Sequence, residues 1–271
     1  MKCILCGENK YKTRFMVDVY PIVECASCGL IKTGIGVSQS YDHYHRDTDY
    51  TAFSSHFKNI FTTRYRIVSS HHPLPGTVLD IGASTGTMLD IFKEHGYKTW
   101  GVEPSTSAAF AKKKGHTIVQ SYFEDAKLPL GAFDVIVMNH TLEHVKNPLL
   151  VLKKAKTLLR DGGLLLIDVP NIGSMRATSM NARWPYILPA EHTYHFTPDT
   201  LTKLFEKAGI SVIHSESRSG IFECDNIPAE IWDAFSHGKK RIVKALVNLP
   251  YDLVATLLNR GDSMSIVGVK K

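Results

Sequence analysis

Residues 77–86 read TVLDIGASTG, and residues 98–103 read KTWGVE. The first stretch is an apolar run that ends in a glycine-containing turn, and a helical pattern covers residues 86–95. The second stretch is another apolar run, and it ends at Glu103. A strand, a tight turn, a helix and a second strand in this order are typical of a βαβ unit on a parallel sheet.

The same two stretches predict a ligand site. Gly82 and Gly86 let a backbone approach a ligand closely, and the helix that follows offers free N–H groups. Glu103 should lie beside this turn at the carboxyl edge of the sheet, where a carboxylate can accept from both ribose hydroxyls. Ser84 stands where a dinucleotide fingerprint has its second glycine. The motif is therefore compatible with two candidate ligands. One is a nicotinamide dinucleotide, and the other is S-adenosylmethionine with its ammonium group near Asp80.

The alternation of strands and helices continues along the chain, as expected for an α/β fold. Further strands are predicted at 117–120, 133–138, 163–169 and 210–215, and helices at 105–114, 148–159 and 197–207. Ser263–Val269 is predicted as the last strand, paired antiparallel at the sheet edge.

Three motifs in this region are DIGASTG at 80–86, Glu103-Pro104-Ser105, and FDVIVMNHTLEHV at 133–145. Together they resemble the class I S-adenosylmethionine-dependent methyltransferases, in particular the small-molecule branch that contains sugar and quinone methyltransferases. The resemblance covers about residues 77–215, and the final strand also fits. It implies a doubly wound, seven-stranded, mostly parallel, Rossmann-like sheet with a reversed last hairpin.

The resemblance also implies S-adenosylmethionine as the cofactor and a set of residues around it. Asp80, Gly82 and Gly86 would line the methionine end, and Glu103 would hold the ribose. Glu124 and Asp125 would flank the adenine, whereas Asn139 and His140 would face the methionine part.

Methyl transfer from a sulfonium mainly requires alignment of the acceptor, and an acceptor of high pKa also needs a base. His144 and His192 are the candidate bases. The pair Glu191-His192 resembles the Glu-His pair of deoxysugar C-methyltransferases, in which the histidine is the base. Pro189 replaces the tyrosine of that pattern. The alternative for His192 is a structural histidine that holds a loop, and for His144 a turn histidine.

Aromatic residues near these histidines are weaker candidates for the acceptor site. Trp184, Tyr186 and Tyr194 could form an apolar surface for a ring-shaped acceptor, although such residues are more often core. Tyr41, Tyr44 and His45 could face the substrate, or belong to a helix that packs on the sheet.

Four cysteines form the pattern Cys3-x-x-Cys6 and Cys25-x-x-Cys28, and a glycine follows each pair. Four thiolates at this spacing predict a structural, tetrahedral zinc site in a ribbon-like module. The alternative, a redox dithiol, needs a thioredoxin-like context that the sequence lacks. Cys224 stands apart and is predicted to be an inert buried thiol.

We therefore expect a zinc-ribbon-like module at 1–34, a helical cap or linker at 35–76, and a methyltransferase domain at 77–271 with a helical insertion at about 227–258. The insertion places apolar residues at helical spacing beside basic ones. Its residues 239–258 could contact a membrane peripherally. They could equally cover the core or a dimer partner, which we favour.

Composition narrows the function less than the motifs do. With 44% hydrophobic and 21% charged residues among 271, the chain should be globular. Its net charge of +6 is compatible with an anionic acceptor but selects none. The first residues contain no apolar segment typical of a signal peptide, and no apolar run reaches membrane-spanning length, so we expect a cytoplasmic protein.

The favoured function is a methyltransferase that acts on a small molecule: a sugar, a sugar nucleotide, or a glycan or lipid precursor. The alternative is a ribosomal RNA or tRNA methyltransferase that binds RNA through the zinc module. Nucleic acid is the less favoured partner because residues 1–32 carry five Lys or Arg against three Asp or Glu. A non-enzymatic module with a degenerate cofactor site is disfavoured by the intact Asp80, Gly82, Gly86 and Glu103.

Overall fold

The computed structural model describes residues 2–34, 54–72, 74–236 and 239–271. Eleven strands are present in these residues. They are β1 Tyr11–Val17, β2 Tyr20–Cys25, β3 Ile31–Thr33, β4 Thr77–Ile81, β5 Lys98–Val102, β6 Thr117–Val119, β7 Phe133–Asn139, β8 Leu159–Pro170, β9 Tyr194–His195, β10 Ser211–Arg218 and β11 Ser263–Val269. The helices are α1 Ser54–His71, α2 Thr87–Glu94, α3 Ala108–Lys113, α4 Pro148–Leu158, α5 Met175–Met180, α6 Pro198–Lys207, α7 Ile227–Ser236 and α8 Lys239–Leu257.

The larger sheet has seven strands in the order β10-β11-β8-β7-β4-β5-β6. Strands β4 to β8 pair in parallel, and β11 runs antiparallel to both of its neighbours. The predicted doubly wound, Rossmann-like sheet with a reversed last hairpin is therefore confirmed. Ser263–Val269 has the predicted bounds, whereas β8 begins at Leu159, four residues before the predicted start at residue 163.

Helices cover both faces of this sheet, which explains why its central strands are mostly apolar. Helices α1 and α2 pack on one face, where Val68 and Phe92 are fully buried. Helices α4 and α6 pack on the other, where Leu152 and Leu204 are fully buried. Each helix thus uses one apolar stripe, and the polar residues of the parallel strands concentrate at the strand ends.

Strands β4, β5 and β7 are neighbours and run in the same direction. Their carboxyl ends therefore meet at one edge of the sheet, and the residues that follow them are brought together there. These residues are Gly82, Glu103 and Asn139, which is the juxtaposition that the sequence predicts.

The cysteine-containing segment forms a second sheet of four strands, in the order β1-β2-β3-β9. Its fourth strand, Tyr194–His195, comes from the connection between β8 and α6 of the larger domain. A further hydrogen bond joins Lys207 Nζ to the carbonyl of Leu5 at 2.6 Å. The predicted module at 1–34 therefore shares a sheet with the rest of the chain.

The predicted cap at 35–76 is described only from residue 54 onward. There, α1 packs against α2, and Arg64 of α1 donates to Asp168 Oδ1 of β8 at 3.0 Å. Tyr41, Tyr44 and His45 lie outside the described residues.

The insertion between β10 and β11 consists of α7 and α8. Leu246 of α8 is 57% exposed and so does not cover the core, whereas the alternative of a dimer partner stays a prediction. The face of α8 that packs inward contains Asp252 and Ala255 instead. Among the described helices, none is both long enough and apolar enough to cross a membrane.

Candidate functional site

The turn after β4 depends on Gly82. Its φ angle is 84°, and a Cβ added there would lie 2.5 Å from Thr141 Oγ1. The Thr141 hydroxyl donates to the carbonyl oxygens of Ile81 at 3.0 Å and Asn139 at 3.2 Å, so moving it would break these hydrogen bonds. A side chain at position 82 would both strain the backbone and break this link between β4 and β7.

Ser84, the departure from the dinucleotide pattern, adopts a glycine-like conformation. Its φ angle is 44°, and its N–H donates to Glu103 Oε2 at 2.8 Å. Left-handed backbone costs a non-glycine residue about 1–2 kcal/mol. The chain therefore keeps the shape of a glycine turn with a serine in it, at some cost in stability.

Glu103 is held rigidly at the end of β5. Its Oε2 accepts from Ser84 N–H and its Oε1 accepts from Ser105 N–H, both at 2.8 Å. The side chain is buried, yet it lines the larger of two cavities at this sheet edge. Because each carboxylate oxygen has a second lone pair, both can still accept from a ligand.

The larger cavity lies over the carboxyl ends of β4, β5 and β7. Glu124 and Asp125 are both exposed, and Glu124 is among the lining residues whereas Asp125 is not; that they flank the adenine stays a prediction. The lining residues are Ile81, Gly82, Ser84, Val102, Glu103, Pro104, Tyr122, Phe123, Glu124, Asn139, His140, Thr141, His144, Val145 and Val151.

A smaller cavity continues under Gly82 and Ser84, and Asp80 and Phe61 line it. Burial, and to a smaller extent the nearby charge of Glu103, together raise the pKa of Asp80 to about 8. Asn139 lines both cavities, and its Oδ1 is buried without a hydrogen-bond partner among the described residues. Two buried acceptors therefore face a space that suits a small cationic group.

Gly86 is required by the packing around the start of α2. It starts α2 with a φ angle of 80°, and a Cβ there would lie 2.9 Å from His116 Cδ2 and 3.0 Å from Ala111 Cβ. It is not among the lining residues of either cavity. The structure therefore requires a glycine here for close packing, and the expectation that Gly86 lines the methionine end stays a prediction.

His140 lines the larger cavity and bridges two buried carboxylates. Its Nδ1 is 3.3 Å from Glu143 Oε1, and its Nε2 is 3.7 Å from Asp168 Oδ1. Burial alone would lower the pKa of His140, but the two carboxylates outweigh burial and raise it. Burial likewise opposes ionisation of Glu143, yet His140 and His144 hold its pKa down at about 2.

His144 lines the larger cavity and is oriented by the backbone. Its Nδ1 lies 3.1 Å from the carbonyl oxygen of Glu191, which can only accept, so Nδ1 carries the proton. The other nitrogen, Nε2, is then the proton acceptor, and it lies 4.0 Å from Glu143 Oε1. This arrangement can take up a proton at Nε2 and stabilise the resulting charge.

His192 lies behind His144 and is not among the lining residues. It is 3% exposed, and the two rings meet edge to face with their centroids 4.7 Å apart. Burial holds the pKa of His192 well below its usual value. Glu191 contributes its backbone carbonyl to His144, so the predicted Glu191-His192 pair supports the cavity from behind.

Two functional residues were missed by sequence reasoning. Glu143 stood inside the 133–145 motif, and its spacing from His140 by three positions could have indicated a charge pair. Thr33 carried no such signal, although its hydroxyl donates to the carbonyl of His192 at 2.7 Å and contacts His195 Nε2 at 3.1 Å. It links the cysteine-containing sheet directly to the loop that carries these histidines.

The aromatic residues predicted to form an apolar surface for the acceptor belong mainly to the protein core. Trp184 is 2% exposed, and its Nε1 donates to Asp262 Oδ1 at 3.1 Å. Tyr194 is buried in β9, and Tyr186 is partly exposed beside Trp184. None of the three is among the lining residues of the cavities described above.

The four cysteines of the N-terminal sheet converge. The Sγ atoms of Cys3 and Cys28 are 3.5 Å apart, as are those of Cys6 and Cys25, and all four lie within 4.8 Å of one another. A disulfide needs about 2.05 Å, whereas sulfurs that share a tetrahedral metal at about 2.3 Å lie nearly 3.8 Å apart. The donor set therefore fits a soft divalent metal. Cys224 lies apart from it, and burial raises the pKa of its thiol.

Comparison with known proteins identifies the family. Residues 56–215, more than half of the chain, match the model of a family described as a methyltransferase domain. The ubiquinone biosynthesis O-methyltransferase of Nitrobacter winogradskyi is 27% identical over 158 residues, which are 50% of this chain and 56% of that protein. The C-methyltransferase NovU of Streptomyces niveus is 25% identical over 142 residues, 50% of this chain and 33% of that protein. The chain thus spans little more than half the length of the first relative, and less of the second.

Solved structures share the fold at low sequence identity. A putative methyltransferase bound to the Trm112 activator of Haloferax volcanii has a TM-score of 0.59 at 17% identity, covering 86% of this chain and 99% of that one. Phosphoethanolamine N-methyltransferase 2 of Haemonchus contortus, in complex with S-adenosyl-L-methionine, has a TM-score of 0.57 at 17% identity, covering 89% and 62%.

Proposed function

The chain belongs to the methyltransferase-domain family, and from this premise we propose that it transfers the methyl group of S-adenosylmethionine to a hydroxyl group of a small molecule. The observation that carries this proposal is the pair of adjoining cavities at one sheet edge, with buried acceptors at one end and histidines at the other.

The residues around the cavities fit the proposed cofactor. Asp80 and the Oδ1 of Asn139, which has no hydrogen-bond partner in the part of the chain that the structure describes, would accept from its ammonium. Glu103 would accept from its ribose hydroxyls. Glu124 would flank the adenine. When bound, S-adenosylmethionine supplies a methyl group that is already activated for displacement, so the protein mainly has to orient the acceptor and exclude water.

His144 is the proposed base for the acceptor hydroxyl. The Glu191 carbonyl holds its Nδ1 proton, Nε2 accepts the proton of the hydroxyl, and the ionised Glu143 stabilises the imidazolium. His192 and Glu191 act by positioning His144 rather than by contact with the acceptor. This arrangement differs from the expectation that His192 itself is the base.

For the acceptor we keep the class that the sequence favoured: a sugar, a sugar nucleotide, or a glycan or lipid precursor. The O-methyltransferase and C-methyltransferase relatives favour a small molecule over a nucleic acid. The net charge of +6 suits an anionic member of this class.

We also propose that the four N-terminal thiolates bind one structural zinc ion. Their mutual distances and their closed, four-sulfur donor set support this assignment. The metal would stabilise a sheet too small to fold by apolar burial alone.

The proposal is tested in two steps. Calorimetry should detect binding of S-adenosylmethionine, and transfer of a labelled methyl group should then be measured on sugars, sugar nucleotides, lipid precursors and RNA. His144→Gln should lower kcat at least about 100-fold with little change in cofactor affinity. Labelling of RNA alone would reject the small-molecule assignment, and an unchanged kcat in His144→Gln would reject the base.

A further inference from the structure

The insertion between β10 and β11 leaves a long apolar stripe on the outside of the protein. Its apolar residues on and just after α8 lie three, four or seven positions apart, so they share one face of the helix. We call them the α8 stripe, and each is between 42% and 75% exposed: Val243, Leu246, Val247, Leu253, Val254, Leu257 and Leu258.

The opposite face of α8 is firmly attached to the domain. Asp252 accepts from Arg176 at 2.8 Å, and the hydroxyl of Thr256 accepts from the backbone N–H of Ser219 at 3.2 Å. Ala255 is fully buried between these contacts. The α8 stripe is therefore held outward by specific contacts, and a patch of this length on a protein surface marks an interaction site.

Helix α7, the other helix of the insertion, also exposes two large aromatic residues. It packs against α8, and its Trp232 and Phe235 are 77% and 63% exposed. The two carboxylates of α7, Glu230 and Asp233, contact side chains of α1 at 2.9 and 2.7 Å instead. Exposed tryptophan and phenylalanine are typical of segments that lie in a membrane interface.

Charge distinguishes a lipid surface from a second copy of this chain. Four of the first six residues of α8 are Lys or Arg, and its one carboxylate, Asp252, is buried against Arg176. Two copies paired through the stripe would place these basic residues against each other in a parallel arrangement. In an antiparallel arrangement they would face the exposed Arg260 that follows the helix. An anionic surface complements the charges in either case.

We propose that the α8 stripe, with Trp232 and Phe235, docks the protein on the surface of a bilayer that contains anionic lipids. The helix has 19 residues and lies flat, with its apolar face in the interface and its basic first turns at the headgroups. This inference does not depend on the proposed methyl transfer.

The test is sedimentation of the full chain with vesicles, either of phosphatidylcholine alone or with roughly 30% phosphatidylglycerol. The expected result is binding to the anionic vesicles that falls at least about fivefold between roughly 0.1 and 0.5 M salt, and weak binding to neutral ones. The triple variant Leu246→Ser, Val247→Ser, Leu257→Ser should weaken binding at least about tenfold. The matched control is Leu130→Ser, since Leu130 is 76% exposed in a loop outside the insertion, and it should bind as the parent does.

Three results would overturn the proposal. The first is absence of binding to anionic vesicles by a folded parent, with thermal unfolding as the check. The second is equal binding by the parent and the triple variant. The third is a stable dimer, seen by analytical ultracentrifugation, that the triple variant abolishes while no vesicle binding is found. Because the substituted residues are exposed, the triple variant should keep the thermal midpoint of the parent.

Discussion

Glu103→Gln tests the cofactor site most directly. The carboxylate accepts one backbone N–H at each oxygen, from Ser84 and from Ser105. A glutamine has one oxygen and one NH₂ group, so in either orientation the NH₂ group faces a backbone N–H. One of the two hydrogen bonds is replaced by a contact between two donors, and the turn after β4 loses its support.

The magnitude follows from this geometry. A hydrogen bond to a charged group contributes about 1.5–3 kcal/mol. Since about 1.4 kcal/mol corresponds to a tenfold change in Kd, the affinity for S-adenosylmethionine should fall about 10- to 100-fold. The loss of charge toward the ribose hydroxyls acts in the same direction.

Calorimetric titration with S-adenosylmethionine is the assay, and Glu124→Gln is the matched control. Glu124 lines the same cavity but is exposed, so its substitution should change Kd by less than about threefold. The reasoning is refuted if Glu103→Gln binds as tightly as the parent while its thermal midpoint is unchanged. It is also refuted if the two variants lose the same affinity.

Three further predictions concern the rest of the molecule. Thr33→Val should lower kcat and the thermal midpoint without a change in cofactor Kd, because the His192 carbonyl loses a donor and the His195 ring loses an acceptor. Thr33→Ser keeps the hydroxyl and should have the kcat and thermal midpoint of the parent. Thr13→Val, at an exposed position in the same sheet, should change neither quantity. Burial lowers the pKa of His195 to about 3. As the pH falls, this histidine therefore takes up its proton in the unfolded chain before it does so in the folded one. The contribution to stability is fully present above about pH 6.5 and is lost between about pH 6.5 and pH 3. In urea titrations His195 contributes at most about 1.4 kcal/mol per pH unit to this slope. His195→Gln should reduce the slope by up to that amount and leave the part due to the buried His192, whose pKa is also lowered; an unchanged slope would contradict the assignment. Metal analysis should find one zinc per chain and none in Cys25→Ser; a metal-free parent with an unchanged midpoint would contradict the zinc site.

Much of the sheet could be predicted from the sequence because parallel strands are buried on both faces and are mostly apolar. Asp80 and Glu103 were predictable for a related reason, since the carboxyl ends of neighbouring parallel strands meet at one edge. The cysteine spacing likewise predicted a convergence of four thiols, which the structure brings within 4.8 Å. In each case the information is local, because periodicity and spacing along the chain determine what lies together.

The function of Gly86 and the order of the two histidines were decided only by tertiary structure. Gly86 is needed because Ala111 and His116, far along the chain, pack against it. His144 faces the cavity and His192 lies behind it because the loop between β8 and α6 folds back over β7, which no local pattern encodes.

The N-terminal sheet and α8 show the same division between local and tertiary information. A two-residue strand, Tyr194–His195, has no periodicity of its own, so its pairing with β3 depends on the packing of distant segments. For α8, the sequence determined an amphipathic helix with a basic start, but either face could have packed inward. The buried pair of Asp252 with Arg176 turns the polar face inward, and the apolar stripe therefore faces out.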